Sequence, residues 1–231
     1  MDSRIRENDT LRYLFAEVII KNRRPKVKTT LGNLFFKWRS YTPIPLLLAT
    51  LVLAKPTLWS ISLGLLVALA GELTRIWAVS YAGGATRTLE PGVGNLITGG
   101  PFSYVRNPLY VGNLLLSLGV CLAAWPSKWS LMISEAVAIP WLLPVFIIAF
   151  ALQYGFIVAV EEDTIRRSLG EVYDEYYKAV PRWLPRLTPY PKPYPERGDF
   201  KAGFRSDRRS IQTTCMVLLV IIIIYMVRLF G

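Results

Sequence analysis

Five long apolar stretches, separated by polar or basic segments, dominate this sequence. They cover residues 35–54, 57–79, 108–125, 130–160 and 211–229. A helix needs about 20 mostly apolar residues to cross the hydrocarbon core of a bilayer. The hydrophobic share of 52% also exceeds that of an ordinary soluble domain. The sequence therefore predicts an all-α, polytopic transmembrane helix bundle with about five spans.

The net charge of +11 is concentrated beside these stretches. The first 39 residues hold ten Lys or Arg, and residues 161–210 hold eleven more. A nucleic-acid module would carry such charge on a soluble face, whereas basic segments that flank apolar spans are retained in the cytoplasm. We therefore expect a membrane partner and no nucleic acid, with the amino terminus and segment 161–210 both cytoplasmic.

The stretch at 130–160 allows two interpretations. It is long for one span, and Pro140 and Pro144 could break it into a helical hairpin. A hairpin would export the basic segment 161–210, so one long helix bent at the prolines is expected instead.

The segments outside these spans suggest four regions. Residues 1–33 form a basic amino-terminal segment, with an interfacial helix over 11–20; a signal peptide fits less well, because Glu17 interrupts the apolar run and no cleavage site follows. A core of residues 34–186 precedes a Pro-rich and basic linker, 187–210. Residues 211–231 form a last transmembrane helix, tethered and peripheral to the core.

Two segments between the spans have a distinct character. Residues 81–100 contain six glycines, which would let the backbone approach a ligand closely. Residues 161–180 are expected to continue the fourth span as one amphipathic helix. Its apolar stripe consists of Ile165, Leu169, Val172 and Tyr176.

Several chemistries lack their residues. The sequence has no histidine, which removes the commonest general base, the Ser-His and Cys-His pairs and most zinc sites. Cys121 and Cys215 both lie in apolar stretches, without metal-ligand spacing. Glu90-Pro91-Gly92-Val93-Gly94 imitates the glycine turn of soluble methyltransferases, but no buried strand precedes it.

Three polar elements fall at the expected cytoplasmic ends of spans. The first is the Gly-rich segment 94–102 and the second is Arg106-Asn107-Pro108-Leu109-Tyr110-Val111-Gly112. The third is Glu161-Glu162 with Tyr173, Tyr176, Tyr177 and Pro181-Arg182. Each element alone is as well explained by anchoring at the membrane surface. The predicted topology brings all three to one face.

Together and in this order, over residues 94–186, the three elements resemble the membrane methyltransferases that include the isoprenylcysteine carboxyl methyltransferases and the phospholipid methyltransferases. That pattern is a Gly-rich approach, an Arg-His-Pro-x-Tyr-x-Gly segment opening a span, and a Glu-Glu pair followed by a Gly-x-x-Tyr-x-x-Tyr helix and a Val-Pro turn. The chain supplies Arg106 to Gly112 as written above, Glu161-Glu162, Gly170-Glu171-Val172-Tyr173-Asp174-Glu175-Tyr176 and Val180-Pro181.

The resemblance implies an S-adenosylmethionine-dependent enzyme that methylates a lipid or lipidated substrate and needs no metal. It assigns the cofactor to Gly94, Asn95, Leu96, Ile97, Phe102, Asn107, Pro108, Leu109, Tyr110, Glu161 and Glu162. It assigns catalysis to Arg106 and Glu162. It assigns the substrate to Arg106, Tyr173, Tyr176 and Arg182. In-line methyl transfer depends on alignment and exclusion of water, so the absence of histidine is tolerable.

Two departures from the pattern bear on the substrate. Asn107 replaces the usual histidine and can still donate and accept hydrogen bonds. Ile157 stands where the isoprenylcysteine enzymes place a substrate-binding arginine. O-methylation of a carboxylate is the first interpretation. The alternatives are a phospholipid N-methyltransferase, an NADPH-dependent enzyme like the membrane sterol reductases, and a non-catalytic scaffold.

Glu72 and Arg75 lie three residues apart near the end of the second span. This spacing would let them pair on one helix face, and a role in the pocket is the alternative. They are not included among the predicted site residues.

Overall fold

The computed structural model describes residues 38, 41–83, 96–125, 130–134, 137–140, 142–195 and 197–230. Six helices lie within them: α1 (Pro43–Val52), α2 (Leu58–Ala82), α3 (Pro108–Ala123), α4 (Leu142–Leu169), α5 (Glu171–Ala179) and α6 (Phe200–Phe230). A 3₁₀ turn, Gly100–Ser103, precedes α3. The helical bundle confirms the predicted fold class. The predicted amino-terminal segment 1–33 lies outside the described residues.

Three of these helices are long and apolar enough to cross a membrane. They are α2, α4 and α6, with 25, 28 and 31 residues. Helices α1 and α3 have 10 and 16 residues. At about 1.5 Å per residue α3 is about 24 Å long, short of a hydrocarbon core of about 30 Å. The crossing number of five stays a prediction.

The prediction of a single long helix over 130–160 is wrong for the first third of that stretch. Strands β1 (Ser130–Ser134) and β2 (Val137–Pro140) pair there as an antiparallel hairpin. Pro140 is the last residue of β2, an extended segment that proline permits. Pro144 lies in the first turn of α4, where proline is tolerated because the amide there has no helical partner. From Leu142 to Leu169 the chain is one helix, and no helical hairpin forms.

Small residues bring α2 and α3 into close contact. A Cβ on Gly64 of α2 would lie 2.4 Å from the Ala123 backbone nitrogen, and a Cβ on Gly119 of α3 would lie 2.5 Å from that of Ala68. Membrane helices pack by such close backbone approach, because lipid removes the hydrophobic drive between them. This contact sets the position of α3, which opens with the Arg-Asn-Pro element.

The last helix packs along α2, and its predicted position at the edge of the core stays a prediction. Helix α6 begins at Phe200, eleven residues before the apolar stretch that predicted it. It runs antiparallel to α2: the Asp199 amide donates to the Ser80 carbonyl at 2.8 Å, and Arg228 at the far end donates to the Ala54 carbonyl at 3.3 Å. Between these ends, Leu218 and Ile221 join the core around Ala68 and Ala123.

The predicted pairing of Glu72 with Arg75 is also wrong, because both side chains bind α6 instead. Arg75 forms an ion pair with Asp207 at 2.5 Å. Glu72 accepts hydrogen bonds from the Ser210 and Thr214 hydroxyls at 3.1 and 2.7 Å. The partners lie on a helix 132 or more residues away, where a local spacing rule does not reach.

The amphipathic helix expected over 161–180 is broken at Gly170. Gly170 has φ +56°, a left-handed conformation that ends α4 and lets α5 start in a new direction. The predicted stripe therefore does not continue across the break, and Val172 is 64% exposed. Tyr173 and Tyr176 form the buried face of α5 instead.

The Pro-rich segment after α5 packs along the chain that enters α3. The amides of Thr98 and Gly99 donate to the Tyr194 carbonyl at 2.7 and 3.0 Å, and the Tyr190 amide donates to the Ser103 carbonyl at 2.9 Å. Gly100, at φ +56°, leaves room for the Tyr81 ring, which a Cβ there would meet at 2.5 Å. The sequence predicted that the backbone of this Gly-rich region approaches a ligand closely. At Gly100 the close neighbour is the Tyr81 ring of the protein itself.

Candidate functional site

The candidate site begins where the chain enters α3. Pro108 occupies the first turn of α3 and Asn107 the position before it, as expected for a proline without an amide hydrogen. The Arg106 amide donates to the Pro181 carbonyl at 2.9 Å. The helix entrance is thereby joined to the Val-Pro turn that follows α5.

Glu162, near the end of α4, is the centre of the polar cluster. Glu162 is 5% exposed. Oε1 accepts from Arg106 Nε at 3.0 Å and from Asn107 Nδ2 at 3.3 Å, and Oε2 accepts from Arg182 Nη2. A buried carboxylate is stable only with such partners. The second and third predicted elements thus converge on this carboxylate.

The Arg106 side chain donates its hydrogen bonds to groups of the protein itself. Nη1 donates to the carbonyls of Tyr177 and Val180 at 2.7 and 2.5 Å, and the guanidinium carbon lies 4.0 Å from the centre of the Tyr177 ring. The Arg106 side chain is 8% exposed. Arg106 therefore ties the end of α5, whose last carbonyls lack helical partners, to the entrance of α3.

Glu161 faces a different neighbour from Glu162, since consecutive helical residues point about 100° apart. Its Oε1 accepts from the Tyr110 hydroxyl at 2.7 Å. The Tyr110 ring packs against Tyr154 of α4, with ring centres 4.9 Å apart. Glu161 thus joins α4 to the first turn of α3, while Glu162 joins α4 to α5 and its following turn.

The predicted substrate residues Tyr173 and Tyr176 lie in a buried aromatic cluster. They are 2% and 3% exposed, and Leu96 and Tyr190 pack with them. The Tyr176 hydroxyl donates to the Phe102 carbonyl at 2.7 Å. Burial raises the pKa of both phenols well above the usual range, so they remain protonated donors. Their contact with a substrate stays a prediction.

Arg182 combines a bound and an unbound donor. Its hydrogen bond to Glu162 raises the pKa of its guanidinium, which keeps the charge fixed. Its Nε is buried and has no hydrogen-bond partner among the described residues. A buried unpaired donor is costly, so this nitrogen is a point where an anionic group could bind.

The remaining predicted cofactor residues divide into two groups. Ile97 and Leu109 are partly buried. Gly94 and Asn95 lie outside the described residues. The sequence placed Tyr177 in the third polar element but not among the site residues, and in the structure its ring and carbonyl contact Arg106.

The fold and this cluster define a class: a helical integral membrane protein with paired glutamates and arginines gathered at one end of the bundle. Comparison with known families confirms the predicted resemblance. The model of the phospholipid methyltransferase family matches residues 59–171, which run from the start of α2 to the start of α5. Over this segment, about half of its length, the chain is similar to the phospholipid methyltransferase family, part of the predicted group of membrane methyltransferases.

Two curated relatives share part of the chain. The cobalt-zinc-cadmium resistance protein CzcN of Cupriavidus metallidurans is 32% identical over 121 residues, 52% of this chain and 47% of that protein. The nickel-cobalt-cadmium resistance protein NccN of Alcaligenes xylosoxydans xylosoxydans is 29% identical over the same coverage. The chain thus spans about half the length of these relatives. No solved structure matches it.

Proposed function

We propose that this protein is an S-adenosylmethionine-dependent methyltransferase that acts on a lipophilic acceptor in the membrane. The observation that carries the proposal is the convergence of Arg106, Asn107 and Arg182 on Glu162, beside the hydrogen bond between Tyr110 and Glu161. The matched family supplies the reaction class. The names of the two relatives describe resistance to metals and no reaction, so they do not choose an acceptor.

The donor set of the cluster fits the cofactor. S-adenosylmethionine carries a sulfonium, an ammonium, a carboxylate and ribose hydroxyls, and when bound it supplies an electrophilic methyl group. The Glu161 carboxylate suits its cationic or hydroxyl groups, which leaves the buried Arg182 Nε for an anionic group of the acceptor. The cluster holds two carboxylates and two guanidinium groups, so it is close to neutral before a ligand binds.

Each residue has a role that requires no proton transfer. Glu162 and Arg106 hold α3, α4 and α5 in one arrangement, and Tyr110 orients Glu161 by its hydroxyl. Alignment and exclusion of water supply most of the rate in such a displacement. Arg106 therefore acts as a positioning residue, and the catalytic and substrate-orienting roles expected for it from sequence pass to Arg182 in this proposal.

A carboxylate is the acceptor that this site suits best. A carboxylate is already ionised at neutral pH, whereas a phospholipid ammonium must lose a proton before it attacks. The chain has no histidine, and the buried Tyr173 and Tyr176 remain protonated, so neither is a base for that step. We propose O-methylation of a lipophilic carboxylate, as in the isoprenylcysteine enzymes, with Arg182 as the cation that meets it.

N-methylation of a phospholipid is the second candidate, because the matched family is named for that reaction. In that case Glu161 would bind the ammonium and accept its proton. Purified protein incubated with radiolabelled methyl donor and total lipid extract separates the two reactions. Base-labile counts identify a methyl ester and support O-methylation, and base-stable counts indicate an amine or carbon acceptor and count against O-methylation.

Cofactor choice has its own test. A ligand present at a hundred times its dissociation constant stabilises the folded protein by about 2.7 kcal/mol. We expect S-adenosylmethionine to raise the unfolding temperature in detergent and NADPH to leave it unchanged. Stabilisation by NADPH alone would support the sterol-reductase alternative, and no effect of either would support a non-catalytic scaffold.

A further inference from the structure

A buried polar network links α6 to the helix that carries Tyr110. Arg75 of α2 donates from Nε and Nη2 to the two Asp207 oxygens, at 3.1 and 2.5 Å, and from Nη1 to Asn113 Oδ1 on α3. The side chains of Arg75 and Asp207 are 16% and 5% exposed. One guanidinium therefore holds three helices.

Arg75 meets α3 within one turn of the candidate site. A Cβ on Gly112 would lie 2.5 Å from Arg75 Cγ, so the stem of Arg75 crosses directly over Gly112. Gly112 and Asn113 follow Tyr110 by two and three residues, less than the 3.6 residues of a helical turn. The guanidinium thus fixes the turn whose Tyr110 hydroxyl binds Glu161.

The counter-ion in this network comes from outside the family region. The family match ends at residue 171, whereas Asp207 belongs to α6. Ser210 and Thr214, on the same face of α6, bind the buried Glu72. Polar side chains between membrane helices are costly unless they are paired, so a shift of α6 along α2 would break the contacts of Arg75 with Asp207 and of Glu72 with Ser210 and Thr214. The register of α6 is therefore fixed by these contacts.

We propose that Asp207 is a positioning residue for methyl transfer: through Arg75 it holds the first turns of α3, and with them Tyr110 and Glu161, in the arrangement that the reaction uses. This inference rests on the proposed function. Small displacements of positioned groups lower turnover strongly, since alignment supplies much of the rate. Because Glu161 is also assigned to the cofactor, the loss of Asp207 should lower turnover and weaken cofactor binding together.

The test compares Asp207→Asn with Arg228→Gln in the full-length protein. Arg228 also joins α6 to the core, but at the end far from the site, through the Ala54 carbonyl. We expect Asp207→Asn to lower kcat/KM for S-adenosylmethionine about tenfold. Arg228→Gln should leave this ratio unchanged. Asp207→Glu, which keeps the charge, should recover most of the turnover.

Hydrogen exchange supplies a readout that does not depend on activity. The amides of residues 110–113 should exchange faster in Asp207→Asn and at the wild-type rate in Arg228→Gln. Equal losses of turnover in the two variants would mean that α6 only holds the bundle together, and unchanged turnover in Asp207→Asn would overturn the proposal. If the wild-type protein transfers no methyl group, the proposed function fails. Exchange at 110–113 then decides the positioning contact alone.

Discussion

Replacing Glu162 by Gln removes the charge on which the site converges. Arg106 keeps the carbonyls of Tyr177 and Val180 as acceptors, but its 8% exposed side chain loses its counter-ion. Breaking a buried ion pair by removing one partner costs about 3–5 kcal/mol, and the remaining acceptors favour the lower figure, about 3 kcal/mol. Arg182 is 35% exposed and regains water, so it adds little.

For a chain of this length, about 1 kcal/mol shifts the unfolding temperature by about 2–4 °C, so Glu162→Gln should lower it by about 6–12 °C. The assay is thermal unfolding in detergent, followed by circular dichroism. Asp163→Asn is the matched control. It removes the same charge one residue away, where Asp163 pairs with Arg167 on the surface and the side chains are 44% and 50% exposed, a pair worth about 0–1 kcal/mol. A shift for Glu162→Gln no larger than that of the control would refute the reasoning.

Three further predictions concern single contacts. Tyr110→Phe removes the hydroxyl that binds Glu161 and should weaken binding of labelled S-adenosylmethionine about tenfold. The reason is that a hydrogen bond to a charged group contributes about 1.5–3 kcal/mol. Binding equal to wild type would contradict the role of this hydroxyl in orienting Glu161. Gly119→Ala must push α2 and α3 apart and should destabilise by about 1–3 kcal/mol in thermal unfolding. Gly155→Ala, where an added Cβ meets nothing within 4 Å, is its control, and equal effects would count against close packing. Burial raises the pKa of Tyr173 in the folded protein, so its contribution to stability is complete below pH 10 and is lost as the pH rises further. In Tyr173→Phe the stability of the protein should therefore fall less steeply with pH above pH 10. A stability profile equal to that of wild type would exclude this cause.

Sequence alone predicted the helical bundle and the face on which the polar elements meet. Both predictions rest on long apolar runs and on the two basic segments, features that the bilayer imposes on any chain. Glu161-Glu162 and the Arg-Asn-Pro entrance belong to different spans, and only this topology brings them to one end. The contacts at Glu162 agree with that reasoning.

The features that sequence did not predict depend on packing between distant segments. Asp207 pairs with Arg75 across 132 positions, and nothing in the local spacing of Arg75 distinguishes that partner from Glu72. The helical spacing of apolar residues over 161–180 continues through Gly170, but the backbone changes direction at that residue. Prolines excluded helix after α5 but gave no sign that Tyr194 would bind the Gly-rich segment.

Photocrosslinking of radiolabelled S-adenosylmethionine to the detergent-purified protein, with the label mapped by peptide mass spectrometry, tests the central claim most directly. Label on peptides that contain residues 96–112 and 157–182, lost when unlabelled cofactor competes and in Tyr110→Phe, is the predicted result. Specific label confined to other segments, or no specific label at saturating cofactor, would contradict the assignment of Glu161 and the cluster around Glu162 to a cofactor site.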